Sequence, residues 1–272
     1  MVMQEKANIP DQPRHRLTTR LWHWINALCL LILLMSGLTI FNAHPRLYWG
    51  EYGANTDHAW MAVGSSDRIG YLRVGEMRIN TTGILGNWQD SEGRIQTWAF
   101  PGWATIPSYY SLADGRRWHF FFAWIFSLGL ALFMMRSLWN QHIQKDLRMR
   151  RDEWRPSNIG RSIRDHSRIS AIRQSAGKPY NIVQKLTYIG VIFILLPLMI
   201  ITGLAMSPAM DANWPFLTDL FGGRQSARSV HFIAAFLLVL FFLIHMLMVL
   251  ISRPVRQTWA MITGGNGRGS DG

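Results

Sequence analysis

The chain has 272 residues, of which 49% are hydrophobic and 16% are charged, and its 28 Lys and Arg exceed its 16 Asp and Glu to give a net charge of +12. Soluble domains are about 25% charged, and a disordered chain would lack the 13 Trp and 14 Phe present here. The single cysteine, Cys29, excludes an intrachain disulfide, a cysteine-ligated iron–sulfur cluster and a covalent C-x-x-C-H haem site.

Four segments contain no Lys, Arg, Asp or Glu, namely 21–45, 118–135, 186–210 and 229–252. Each is 18–25 residues long, and a helix needs about 20 apolar residues to cross the hydrocarbon core of a bilayer. We therefore predict an all-α membrane protein, a single domain over 1–272 built as a bundle of four transmembrane helices. The predicted helices cover about 21–43, 117–137, 184–207 and 228–252.

The basic residues are distributed unevenly between the two sides of this bundle. Nineteen of them, with only seven acidic residues, lie in segments 1–20, 136–185 and 253–272. The other nine, matched by nine acidic residues, lie in the remaining connections. The positive-inside rule then predicts a multi-pass membrane protein with both termini and the 138–183 loop in the cytoplasm. A basic loop facing anionic membrane lipid makes a nucleic-acid partner unnecessary.

The loop 44–116 is long, neutral and expected on the periplasmic side. Loops of this length usually have a function, and we expect this one to fold against the outer membrane surface. Tyr71–Ile79 and Arg94–Phe100 have the composition of strands and are predicted to pair as a hairpin. The glycine-rich tail 264–272 is predicted to be disordered.

Four of the nine histidines lie inside the predicted helices, where ionisable residues are costly and usually functional. His231 and His245 are 14 residues apart on the fourth helix, which separates them by about 21 Å along one helix face. His119 enters the membrane at the outer level of His231, and His23 lies at the inner level of His245. We therefore predict an outer pair, His119 with His231, and an inner pair, His23 with His245.

Two neutral imidazoles on facing helices can bind one metal from opposite sides. Zinc prefers three or four protein ligands, whereas haem iron needs only two, so two bis-histidine haem b groups per chain fit best. Copper is an alternative metal for these pairs. A proton relay is the rival interpretation, although such a relay would be expected to include Asp or Glu and the predicted helices contain neither. His44 is the most plausible substitute ligand. Gly37, 14 residues after His23, would either admit a porphyrin or pack against another helix.

Several arginines flank the helices and would either pair with haem propionates or only mark the membrane boundary. These are Arg16, Arg20, Arg116, Arg117, Arg224 and Arg228.

The segment Arg20-Leu-Trp-His23-Trp-Ile-Asn26, together with His119 and the His231–His245 spacing, resembles bacterial di-haem cytochrome b561-like membrane subunits. These include the cytochrome b subunits of nickel–iron hydrogenases, formate dehydrogenase and thiosulfate reductase. The resemblance covers roughly residues 14–254 and implies the same four haem ligands. The segment Lys178-Pro-Tyr-Asn181-Ile-Val-Gln184-Lys185 resembles one that borders the quinone site of the formate dehydrogenase member, which implies that Asn181 contacts quinone.

The start of the long loop, His44-Pro-Arg-Leu-Tyr-Trp-Gly50, resembles the subgroup named thiosulfate reductase cytochrome b subunit. That subgroup is commonly paired with a molybdopterin oxidoreductase. The implied function is electron transfer between the quinone pool and a periplasmic oxidoreductase partner, with no substrate chemistry in the chain beyond quinone redox. One alternative is a stand-alone cytochrome b561-type quinone oxidoreductase without a partner, and another is a non-redox anchor or transporter that uses the histidines.

Overall fold

The computed structural model of the chain describes residues 17–54, 57–139, 182–251 and 254–264. Within these residues four helices are long and apolar enough to cross a membrane, which confirms the four predicted spans. In chain order the spans are Leu17–Asn42, Leu112–Arg136, Leu186–Ala205 and Arg224–Ile251. Their orientation in the membrane stays a prediction. Most of the basic 138–183 loop, Asn181 included, and the tail beyond Gly264 lie outside the described residues.

The spans bury a small core and expose many large apolar side chains. Cys29 of the first span packs with Phe126 and Leu130 of the second and with Val191 and Leu196 of the third. Side chains on the opposite faces point outward, among them Leu28, Phe121 and Phe236. A helix with an apolar outer face is stable in lipid because its backbone hydrogen bonds are satisfied internally.

The first and second spans pack closely because glycines of the second span face bulky groups of the first. A Cβ at Gly129 would lie 2.4 Å from the ring of Trp22, and one at Gly115 would lie 2.8 Å from the methyl group of Thr39. The helix that contains the third span begins at Ile182 and is irregular, with α-helix over Ile182–Gly190, a π turn over Val191–Leu195 and α-helix over Leu196–Ala205. The π turn adjoins Pro197, which has no backbone N–H to donate.

The connection between the first and second spans contains β-strands, which corrects the all-α prediction. Four antiparallel strands lie side by side in chain order: β1 (Arg46–Leu47), β2 (Met61–Ser66), β3 (Ile69–Val74) and β4 (Met77–Asn80). A separate two-stranded ribbon pairs β5 (Trp88–Gln89) with β6 (Ile95–Gln96). A 3₁₀ turn at Gly102–Ala104 follows. We call residues 43–111 the extension.

The predicted hairpin between Tyr71–Ile79 and Arg94–Phe100 is wrong, because each segment pairs with its own neighbour in the chain. Tyr71 lies opposite Gly64 on one side and Asn80 on the other. Asp67 and Arg68 have positive φ angles of 52° and 64°, and they form the two-residue turn that the right-handed twist of a hairpin favours. This tight turn pairs β3 with β2, and β4 occupies the other edge of β3.

Hydrogen bonds tie the extension to the first and fourth spans. The amide of Asn42 and the backbone of Phe100 bond reciprocally, at 3.1 Å and 2.8 Å. The carbonyl of Gly50 accepts from the backbone N–H groups of Gln225 at 3.0 Å and Ser226 at 3.1 Å. It thereby satisfies two donors of the first turn of the fourth span, which have no partner within the helix. Trp60 Nε1 donates to Ser229 Oγ at 3.0 Å.

The extension therefore defines one end of the bundle, which we call the loop end. The opposite end, called the terminus end, contains the start of the first span and the helix Pro254–Thr263 that follows the fourth. Arg20 Nε and Trp24 Nε1 each donate to the carbonyl of Met261 at 3.3 Å, which holds this helix against the first span. Two short helices, Pro208–Asn213 and Phe216–Asp219, connect the third and fourth spans at the loop end.

Candidate functional site

The structure brings His119 and His231 together at the loop end, as the sequence predicts. Their ring centroids lie 6.4 Å apart and the two ring planes are inclined by 60°. His119 lies in the first turns of the second span and His231 in those of the fourth, so two helices that run in the same direction deliver them to one level.

His23 and His245 meet at the terminus end in the same way. Their ring centroids are also 6.4 Å apart, with an interplanar angle of 53°. The ring of His245 stacks on Phe241 at 5.9 Å. The two pairs are about 21 Å apart along the fourth span, which carries one member of each.

The 6.4 Å spacing fits two axial ligands of one metal. Metal–nitrogen bonds to histidine are about 2 Å long and each ring centre lies about 1 Å behind its nitrogen, so opposed imidazoles have centroids about 6 Å apart. No group of three or more His, Cys, Asp or Glu able to hold a metal occurs among the described residues. Each pair could supply two ligands to a metal, which is the number that a haem takes from the protein because the porphyrin provides four more.

Hydroxyl groups hold both loop-end imidazoles by Nδ1, a feature that the sequence reading missed. Ser36 Oγ lies 3.1 Å from Nδ1 of His119, and Thr202 Oγ1 lies 2.8 Å from Nδ1 of His231. Each hydroxyl donates its own proton to the carbonyl four residues earlier in its helix, at 2.6 Å. It can therefore accept the Nδ1 proton, which leaves Nε2 as the free ring nitrogen of each histidine.

A glycine follows each of these hydroxyl residues and faces the same histidine. A Cβ at Gly37 would lie 3.4 Å from Cε1 of His119, and a Cβ at Gly203 would lie 3.7 Å from Cε1 of His231. Gly37, which follows His23 by 14 residues, thus lies beside the loop-end pair. In the sequence this feature is a Ser-Gly dipeptide in the first span and a Thr-Gly dipeptide in the third. Because glycine has no side chain, it leaves space for a flat group beside each ring.

The other candidate residues lie apart from the two pairs. The ring of His44 stacks on Tyr48 in the extension, with centroids 5.6 Å apart. The predicted quinone contact, Asn181, precedes the first described residue of the third span. Six residues after Ile182, Tyr188 contacts Phe241, with ring centroids 6.5 Å apart. Since Phe241 stacks on His245, aromatic rings connect this part of the third span to the terminus-end pair.

A family model described as prokaryotic cytochrome b561 matches residues 14–264 of the chain. The chain belongs to the prokaryotic cytochrome b561 family. This confirms the resemblance seen in the sequence, and it makes the protein a haem b electron-transfer cytochrome of the bacterial inner membrane that crosses the membrane several times. No curated protein and no solved structure matches this cytochrome.

Proposed function

We propose that this cytochrome binds two haem b groups, one between His119 and His231 and one between His23 and His245. The observation that carries the proposal is the equal 6.4 Å spacing of both pairs in a chain of this family. When bound, haem supplies one-electron redox chemistry that the side chains themselves lack.

The residues around each pair position the ligands and keep their surroundings apolar. At the loop end, Ser36 and Thr202 orient the two imidazoles through Nδ1. Such hydrogen bonds fix the tautomer and raise the basicity of the ligand. Near this pair Phe41 packs against Phe232, with ring centroids 5.0 Å apart. Low polarity around a redox site lowers the cost of reorganising water when charge moves.

We further propose that quinone or quinol reacts at the terminus end. The side-chain amide of Asn181 can hydrogen-bond a quinone carbonyl, and this residue directly precedes the third span. The contacts from Tyr188 through Phe241 to His245 support this position, because they connect the start of the third span to the terminus-end pair. Under the predicted orientation this site opens to the cytoplasmic side of the membrane.

The partner in this proposal is a periplasmic oxidoreductase that docks on the extension. The extension is folded and held to two spans beside the loop-end pair, and it exposes large aromatic side chains such as Tyr52 (82% exposed) and Trp103 (79% exposed). The family model is named for the cytochrome b of nickel hydrogenases, which supports an oxidoreductase partner. The resemblance of residues 44–50 favours a molybdopterin-dependent one.

Haem stoichiometry and four histidine variants test the proposal. The purified full-length protein should contain two six-coordinate low-spin haems in its reduced-minus-oxidised spectrum. His119→Ala and His231→Ala should both lose one spectral component, and His23→Ala and His245→Ala should both lose the other. His58→Ala is the matched control, because the His58 side chain is 70% exposed in the extension, and it should retain both haems. Any other grouping of the four variants would contradict the pairing.

Copurification separates a partnered subunit from a stand-alone quinone oxidoreductase. Affinity purification of the full-length protein from mildly solubilised native membranes should recover a soluble redox protein in stoichiometric amount. The stand-alone alternative would be favoured if no soluble redox protein copurifies and the haem-loaded protein alone oxidises quinol with a small electron acceptor.

A further inference from the structure

Arg228 is a half-buried cation that has no acidic partner among the described residues. It lies on the fourth span three residues before His231, one helical turn nearer the loop end. Its guanidinium donates to the carbonyl of His44 and lies 5.6 Å from the ring centroid of Phe41. Among the described residues Arg94 and Arg117 form ion pairs with acidic side chains, and Arg228 forms none. A positive charge removed from water is costly unless an anion or several hydrogen bonds compensate it.

Two further polar groups beside Arg228 are buried without hydrogen-bond partners among the described residues. The side chain of Tyr48 is 2% exposed and its hydroxyl oxygen has no partner, while its ring stacks on that of His44, whose carbonyl accepts from Arg228. Nε2 of His44, whose ring stacks on that of Tyr48, is also unpartnered. Buried polar atoms of native proteins nearly always have partners, so both atoms are available to bind a polar group from outside the chain.

The local fold holds these groups in place. Ser229 Oγ donates to the carbonyl of Tyr48 at 2.5 Å, which joins the extension to the fourth span. Gly53 lies directly against the tyrosine ring, where a Cβ would be 2.4 Å from Cδ2. The ring can therefore occupy this position only because residue 53 has no side chain.

The chemistry of the three groups selects an oxyanion. The guanidinium donates, the Tyr48 hydroxyl can donate, and His44 Nε2 can donate in one tautomer. Burial, together with the nearby positive charges of Arg228 and Arg46, lowers the pKa of His44, so this ring is neutral at neutral pH and the charge of the site is that of Arg228. A carboxylate or a phosphate would satisfy such a set of groups.

We propose that Arg228, Tyr48 and His44 form a carboxylate site for the propionates of the haem held by the loop-end pair. This inference rests on the proposed haem ligation. The position of Arg228 one turn from His231 favours a haem carboxylate over the phosphate of a membrane lipid, the other source of an oxyanion here. The extension, through His44 and Tyr48, then completes a cofactor site in addition to any partner surface that it provides.

Arg116 supplies a matched comparison. It precedes His119 by three residues, as Arg228 precedes His231, but its side chain is exposed and lies 5.5 Å from the ring centroid of Phe120. The two arginines have the same position relative to a histidine in the sequence. In the structure only Arg228, of these two, lies beside the buried polar side chains of the extension.

Haem release from the holoprotein to excess apomyoglobin, in nanodiscs of neutral lipid, tests the site. The kinetic phase that is absent in His119→Ala identifies the loop-end haem. Arg228→Gln should release this haem about tenfold faster or more, since it loses a charged hydrogen bond, and Tyr48→Phe should release it a few-fold faster. Arg228→Lys, which keeps the charge, should fall between wild type and Arg228→Gln. Arg116→Gln should release at the wild-type rate.

A second arm identifies the source of the oxyanion. Haem whose propionates are methyl esters, exchanged into the wild-type protein, should leave about as fast as ordinary haem leaves Arg228→Gln, and Arg228→Gln should not accelerate it further. An equal effect of Arg228→Gln on both haems, present only in nanodiscs with anionic lipid, would assign the site to a lipid phosphate and overturn the proposal.

The outcomes separate this site from the haem ligation itself. Unchanged release in both Arg228→Gln and Tyr48→Phe, from a protein that holds two haems, would overturn the carboxylate site alone. A wild-type protein without bis-histidine haem would remove the proposed function and this inference together.

Discussion

The hydroxyl of Thr202 lies 2.8 Å from Nδ1 of His231. The same relation holds between Ser36 and His119 across the bundle, at 3.1 Å. In both cases a glycine follows the hydroxyl residue and faces the same ring. The first span thus provides a hydroxyl and a glycine to the histidine of the second span, and the third span provides the same two groups to the histidine of the fourth. Each imidazole is therefore oriented by a helix other than its own.

Thr202→Val should raise the midpoint potential of the loop-end haem. With Nε2 bound to iron, Nδ1–H donates to Thr202, and this bond makes the imidazole a better donor to oxidised iron. One hydrogen bond contributes about 0.5–1.5 kcal/mol, which corresponds to a rise on the order of 20–60 mV for a one-electron couple. Potentiometric titration of the purified protein measures the change.

Thr39→Val is the control for that substitution. Thr39 is as buried as Thr202, but its hydroxyl bonds the carbonyls of Met35 and Ile106. Its replacement should leave both potentials unchanged. A shift of equal size in both variants would mean that Thr202 acts through general packing.

Gly37→Leu should abolish binding of the loop-end haem and preserve the terminus-end one. The first atom of a side chain at this position would already lie 3.4 Å from Cε1 of His119, and the rest of a leucine would fill the space beside the ring. Haem content should fall from two to one per chain, measured by the alkaline pyridine spectrum. Ala27→Leu, at an exposed position of the same span, should keep two haems. If Gly37→Leu still bound two haems per chain, the loop-end haem could not lie beside Gly37.

Reporter fusions should show the predicted orientation. A fusion after residue 150 should be active in a cytoplasmic reporter, and one after residue 90, between β5 and β6, should be active in a periplasmic reporter. The expectation rests on the excess of basic residues in the terminal segments and in the 138–183 loop. The reverse pattern would move the loop-end pair to the cytoplasmic side and exchange the proposed quinone and partner sides.

Asn181→Asp should slow haem reduction by quinol. Aspartate keeps a capping group at the start of the third span but loses the amide donor to a quinone carbonyl. Loss of one such bond should lower the rate about tenfold, measured by stopped-flow spectroscopy with a soluble quinol. Asn213→Asp, at the exposed end of a short helix at the loop end, is the control. An unchanged rate in Asn181→Asp would mean that Asn181 only caps the helix.

The sequence predicted the main parts of the site because those parts depend on one helix at a time. Length and lack of charge identify a membrane span locally. The 14-residue spacing of His231 and His245 sets their separation and their common face through helix geometry alone. The chain order of the spans then assigns His119 and His23 to the two levels.

Relations between different helices needed the tertiary structure. That Ser36 and Thr202 reach the imidazoles depends on how each helix is rotated about its axis, and no spacing within one span specifies that angle. The same holds for Arg228 and Arg116, which have equal positions in their helices and opposite surroundings.

By itself, then, the sequence determined the spans and the depth of the four histidines, since helix rise and hydrophobicity are local properties. Only the tertiary structure decided the partners of those histidines and the pairing of the strands. Strand pairing depended on the turn at Asp67 and Arg68, where positive φ angles join β2 to β3. The surroundings of Arg228 depended on where the extension packs, because His44 contacts Arg228 and Tyr48 contacts Ser229 across about 180 residues of chain.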